Sequence, residues 1–291
     1  MRLNLLLNEL SKGMWAMSLE GMMFWAPIAN KIRMREELNF DFKPGALLTV
    51  FDKNRRIVQP DEDGSYNIPK GSIGVVNMVG ILVKHGDICM HGADDIVRAL
   101  DFIESNPNFK AGVVYMDGPG GAVTAISPFV AFGLRRKKVY VGLYEQCCSA
   151  HLYAMYSFTD YVMAENDLSA NIGSLGITIS LLDDSEYLAK MGIKRHDIYP
   201  EESKDKNLAF RLALEGKYEM ITTEMMAPLA IKFQNVARAK RPKLKEAPGV
   251  LTGKTFYTDK AIEYGLADSQ GSLADAMDRA EMLSEMKSLY K

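Results

Sequence analysis

Cysteine is scarce. Cys89, Cys147 and Cys148 are the only three in the chain, too few for a disulfide scaffold, and the count fits a reducing compartment. Nowhere do the roughly 20 unbroken apolar residues occur that a helix needs to cross a bilayer; the nearest stretch, residues 13–28, is short and carries Glu20. The start lacks a signal-peptide pattern, because its apolar run ends at Asn8 without a small-residue cleavage site. These absences lead us to expect no stable membrane span and a cytoplasmic protein. Neither sign of charge is in excess: 35 Lys and Arg against 37 Asp and Glu leave a net charge of −2, which gives no bulk electrostatic reason to bind nucleic acid. What is present is ordinary globular usage. Charged residues make up 25% and hydrophobic ones 47% of 291 residues, excluding disordered and collagen-like classes and allowing one large domain or two small ones.

Residues 1–70 read as an N-terminal arm, a propeptide or an assembly segment. Within them Trp15, Leu19, Met22 and Ala26 recur at helical spacing, which predicts one helix face. That face suits a helix docked on its own core or a neighbouring subunit, and equally one that binds a partner or a membrane surface. Residues 43–70 are turn-rich, with Pro44, Gly45, Pro60, Gly64 and Pro69. From Ser72 the pattern changes. The run SIGVVNMVGILV predicts a buried strand, 94–105 a helix, 112–116 a strand, 123–134 a helical stretch, 139–144 a strand and 161–164 another. Strands alternating with helices at this pace predict an α/β fold with largely parallel strands. A stripe of Leu214, Tyr218, Ile221, Met225, Leu229, Phe233 and Val236 predicts a long amphipathic segment that Pro228 kinks or splits. Its partner is the same core or another subunit. A helix over 273–289 closes the chain. The boundaries drawn are 1–70, 71–270 and 271–291.

Two strand ends carry unusual residues. Gly118-Pro119-Gly120-Gly121 follows the strand VVYMD, and bare backbone N–H groups in such a turn are able to face an anion; it also serves as a tight connection. The strand VYVGLYE runs into Gln146-Cys147-Cys148-Ser149-Ala150. A serine at a strand-to-helix turn either caps the helix or projects its hydroxyl beside N–H groups that hold an oxyanion. A hydroxyl nucleophile needs a base. His151 is poorly placed two residues on, and a lysine made neutral by an apolar site is the other choice. His85, Asp87, Cys89 and His91 are the only cluster spaced like metal ligands, and ordinary loop roles account for them as well. No metal and no cofactor are expected.

Several of these segments together resemble the Ser-Lys peptidase family of signal peptide peptidase A, most closely its phage branch, the prohead (head-maturation) proteases. GVVNMVGILVKHGD is similar to the family's opening strand and turn. DGPGGAV is similar to its DSPGG turn, with Gly118 replacing serine. EQCCSAHLYA is similar to its nucleophile segment, and IGSLGI to its following GSIGV. IYPEESKDKN stands where the family lysine lies, and TFYTDKAIEYGLAD is similar to its closing segment. The resemblance spans about residues 71–270. It implies a ClpP/crotonase-like spiral of β-β-α units with long C-terminal helices, Ser149 as nucleophile and Lys204 as general base, with Lys206 as a rival. It also implies an oxyanion hole from Gly121, with Gly120 adjacent, and the N–H of Ala150. Ser169 and Ser174 are candidates to orient the lysine. The implied activity is serine endopeptidase cleavage of capsid or scaffold polypeptide by a homo-oligomeric ring, in host cytoplasm or an assembling prohead. Other readings are a peptidase that degrades signal or membrane peptides, a crotonase-type acyl-CoA enzyme, and an inactive shell protein. The departures are His151 and Leu152, where the family has small residues and a tyrosine, and a lysine segment without its Gly-His and Gly-Asn-Pro.

Overall fold

The computed structural model describes residues 14–17, 21, 23, 27, 31, 45–86, 90–181, 183–194 and 196–290. In chain order the elements are β1 (Met14–Met17), β2 (Leu48–Phe51), β3 (Ile57–Val58), β4 (Ser72–Val79), α1 (Ala93–Ser105), β5 (Phe109–Gly118) and β6 (Gly120–Ala122). Next come α2 (Ser127–Arg135), β7 (Val139–Cys148), α3 (Ala150–Phe158), β8 (Tyr161–Ala164), β9 (Asn171–Gly173), β10 (Thr178–Ile179), α4 (Ser185–Lys190) and α5 (Leu208–Leu214). A π-helical turn, Ile221–Met226, leads into α6 (Ala227–Lys240), followed by β11 (Thr255–Tyr257), α7 (Thr258–Glu263), β12 (Ser269–Gln270) and α8 (Leu273–Leu289).

The chain is α/β. Its main sheet has the order β11-β9-β7-β5-β4-β2-β3, with β8 beside β7 and β12 beside β8. The interior pairs β4–β5, β5–β7, β7–β8 and β7–β9 are parallel, and antiparallel strands stand only at the edges. Parallel strands need cover on both faces, and the period-2 alternation supplies it. Ile73, Val75, Val113, Val139 and Val141 face α8 through Ala276, Met277 and Ala280. Val76, Val114, Met116, Tyr140 and Tyr144 face the other way, in the core formed with α1, α2 and α3. There Phe132 and Phe158 meet the Tyr140 ring edge-on at 5.3 and 6.0 Å.

Most predicted elements lie where the pattern put them, and 161–164 and 273–289 match residue for residue. Three readings need correction or extension. Trp15 lies in strand β1, not on a helix; Leu19, Met22 and Ala26 fall outside the described residues. The turn-rich stretch contains β2 and β3, a hairpin at the edge of the main sheet. Strands this short, packed with turns, leave too few alternating residues for periodicity to register. The 208–239 segment is divided: α5 stands apart, and the π-helical turn runs without a break into α6, with Pro228 just past the junction, so its missing N–H falls where the regular α-helical ladder is already interrupted. The stripe is divided too. Ile221 and Phe233 are buried in the chain's own packing, whereas Leu214 and Tyr218 are exposed. Among the described residues no helix is long and apolar enough to cross a membrane.

Candidate active site

Parallel pairing places two strand ends side by side. Gly118 at the end of β5 pairs with Cys147 near the end of β7, so the glycine turn and the Ser149 elbow share the carboxyl edge of the sheet. Open α/β sheets place ligands at that edge. Ser149 takes φ 55° and ψ −110°, a conformation an L-residue holds only at a cost of about 1–3 kcal/mol, and one that clusters at working sites. The elbow is fixed by its own hydrogen bonds. The Ser149 N–H donates to the Gly173 carbonyl at 2.9 Å, and its Oγ donates to the Gly176 carbonyl at 3.4 Å. No side-chain cap bond is made to α3, so the hydroxyl is not spent as a helix cap. Ala150 opens α3, and its N–H is one of the four that have no intrahelical acceptor.

His151 sits inside this junction. It is 1% exposed, and its Nδ1 accepts the Gly120 N–H at 3.2 Å. Accepting there puts the ring proton on Nε2 and keeps the imidazole neutral; burial pushes its pKa down to about 3. A Cβ on residue 118 would collide with the imidazole Cε1 and Nε2. The two departures in the motifs, glycine at 118 and histidine at 151, therefore occupy one space: the ring fills the volume a larger residue at 118 would need. Sequence reading set His151 aside as a base and missed this role, although a motif lacking one side chain and another gaining one was the available signal.

A buried neutral His151 couples stability to acid. Its folded pKa lies below the ordinary 6.5, so the unfolded chain takes up the extra proton and stability is lost as pH falls from 6.5 towards 3, at about 1.4 kcal/mol per unit. Between pH 7 and pH 4.5 we expect His151→Asn to lose about 2–3 kcal/mol less unfolding free energy in urea than the native chain. Equal losses in the two proteins would contradict the buried neutral ring.

The remaining predicted residues are not all brought together. Gly121 has its peptide groups on the edge facing β1, because its neighbours face the other side: Leu82 N–H donates to the Gly120 carbonyl and Ala122 N–H donates to the Leu82 carbonyl, at 2.9 and 2.8 Å. Lys204 ends a short 3-10 turn, Glu201–Ser203, where it is two-thirds exposed and pairs with Glu201 at 3.4 Å. Lys206 is exposed as well. The segment is tied to itself, with Arg211 donating to the Lys204 carbonyl and lying 4.4 Å over the Tyr199 ring. Ser169 Oγ bonds Asn166, and Ser174 donates its N–H to the Lys254 carbonyl. In the histidine-rich loop His85 pairs with Asp94 at 2.9 Å and His91 bonds the Gly45 carbonyl; Asp87 and Cys89 fall outside the described residues. Among the described residues no group of three or more His, Cys, Asp or Glu is placed to hold a metal.

The comparison that decides the family is a match between residues 132–287, just over half the chain, and the model of peptidase family S49. The chain belongs to peptidase family S49. The matched stretch includes Ser149, His151 and Lys204 and leaves the glycine turn outside. Two curated relatives are similar over more of the chain. “Putative protease MJ0651” of Methanocaldococcus jannaschii is 23% identical over 192 residues, 65% of this chain and 61% of the relative. Protease 4 of Haemophilus influenzae is 24% identical over 229 residues, 77% of this chain and 36% of the relative. This S49 chain thus spans less than two thirds of the length of either.

Proposed function

We propose that this S49 chain is a serine endopeptidase, with Ser149 as nucleophile and Lys204 as general base. The observation that carries the reading is the strained Ser149 elbow beside the glycine turn at one sheet edge. Ser149 Oγ bonds to a peptide carbonyl carbon and gives its proton to neutral lysine; the tetrahedral oxyanion collapses with cleavage of the peptide C–N bond, and the lysine returns the proton to the leaving amine, which leaves an acyl ester on Ser149. Water then hydrolyses the acyl ester by the same route. The oxyanion is held by N–H groups of Ala150 and of the Gly120-Gly121 strand, each worth about 3 kcal/mol, once their present partners are displaced. Lysine acts as a base only when neutral and out of water. Cover for Lys204 comes from rearrangement of the self-tied 199–211 segment, from a bound polypeptide or from a second copy of the chain.

In this reading the peptidase domain is 71–270, arranged as a ClpP/crotonase-like spiral, with the arm before it and 271–291 after it. The enzyme is a homo-oligomeric ring of the phage prohead-protease branch that acts on capsid or scaffold polypeptide in host cytoplasm or prohead. Exposed Leu214 and Tyr218 beside α5 supply apolar surface for the ring contact. One second reading has specific support. An inactive shell protein would tolerate Lys204 paired with Glu201 and Gly120 N–H held by His151. Initial rates on an unfolded protein such as casein separate the two. We expect hydrolysis by the native chain, loss in Lys204→Ala and retention in Lys206→Ala. Loss in Lys206→Ala alone moves the base to Lys206, and no hydrolysis by the native chain selects the shell reading.

A further inference from the structure

A second sheet lies over the site. It has three strands in the order β10-β1-β6, and its middle strand comes from the N-terminal arm. Trp15, Ala16 and Met17 stand opposite Ala122, Gly121 and Gly120, and Met14 and Trp15 opposite Ile179 and Thr178; both pairings are antiparallel. Because backbone groups alternate in direction along a strand, Ala16 bonds the glycine-turn side and Trp15 the β10 side. Ala16 is fully enclosed and Met17 nearly so.

The slot is shaped for a strand. Gly120 has φ 113°, and a Cβ there would collide with the Ala16 carbonyl oxygen; only glycine lets a second backbone approach so closely. The seat also has a direction. β6 runs away from the Ser149 edge and β1 antiparallel to it, so β1 runs towards the elbow, with Met17 opposite Gly120 as its nearest residue. The chain then passes the turn itself, where a Cβ on Gly21 would stand 2.6 Å from the Pro119 side chain. At the other end Ile179 borders a cavity of about 330 Å³ lined also by Leu181, Asp183, Leu214, Tyr218, Ile221 and Thr222, with walls part apolar and part polar.

We propose that the gap between Gly120–Ala122 and Thr178–Ile179 is a two-edged acceptor for an extended, apolar polypeptide strand, and that residues 14–17 are its tethered occupant. Strand addition gives affinity through main-chain bonds on both edges and specificity through alternate side chains. A tethered strand competes at an effective concentration in the millimolar range, so an untethered polypeptide enters only when the arm leaves. The inference rests on the peptidase reading for what the acceptor is used for, and its test measures binding alone.

The test uses the full-length chain carrying Ser149→Ala, which cannot cut, and a fluorescein-labelled peptide of residues 11–20. Ala16→Pro removes the N–H that pairs with Gly121, and Ala16→Arg keeps the N–H but puts a long charged side chain where the site is closed. Fluorescence anisotropy is expected to show at least tenfold tighter binding of the peptide to either variant than to the chain with Ala16, with circular dichroism unchanged. Equal affinity in all three chains, or no binding to either folded variant, overturns the proposal. Binding that follows this pattern in a protein that hydrolyses no casein leaves the acceptor standing and removes the peptidase. Hydrolysis with unchanged peptide affinity does the reverse.

Discussion

Ser149→Ala is expected to lower the rate of casein hydrolysis by at least about a thousand-fold, the scale of losing a serine nucleophile whose oxyanion donors remain. The fold should be little affected. The Oγ makes one long hydrogen bond, 3.4 Å to the Gly176 carbonyl, so alanine gives up no more than about 1 kcal/mol. The N–H bond to the Gly173 carbonyl, which holds the elbow, belongs to the backbone and survives. Initial rates and a thermal melt on one preparation check both halves. A variant that cuts at the native rate would remove Ser149 from the chemistry, and one that fails to fold would assign the residue a structural role.

The largest stability effect is expected at Phe233. Its ring is 3% exposed and meets the Tyr153 ring edge-on with centroids 4.6 Å apart, which joins α6 to α3, the helix that follows Ser149. Truncating a buried Phe costs about 3–5 kcal/mol. Phe233→Asp adds the burial of an unpaired carboxylate, which is enough to leave a domain of ordinary stability largely unfolded. Met225, on the same sequence stripe, is only half-buried beside α5, and Met225→Asp should melt within a few degrees of the native chain. Read from periodicity alone, the two residues are equivalent members of one face. Similar melting temperatures for both variants would mean that Phe233 does not anchor this packing.

That equivalence marks where local pattern stops. Continuous apolar runs specified β4, β5 and β7 because both faces of each strand are covered, and the burial is written into consecutive residues. Local pattern also specified α8, whose apolar positions meet a single sheet face. Strand β1 carries too little of its own pattern: its partners lie more than 100 residues away, at Gly120–Ala122 and Thr178–Ile179, and nothing local to Trp15 encodes them. The Ser149 elbow was legible because strand, turn and helix are contiguous. The His151–Gly118 fit joins two distant motifs, and each half read alone is only an irregularity. Lys204 was put forward from the place of IYPEESKDKN in the chain, but place in the sequence carries no information on whether its amine reaches Ser149, and in the fold it pairs with Glu201.

Covalent labelling measures the reactivity of Ser149 most directly. The native chain and the full-length Ala16→Pro chain, treated with a fluorophosphonate and digested for mass spectrometry, should each carry a single adduct, on the peptide containing Ser149. Labelling should be faster in Ala16→Pro and absent from Ser149→Ala. An adduct that persists in Ser149→Ala, or no adduct in either the native or the Ala16→Pro chain, would contradict Ser149 as an activated nucleophile.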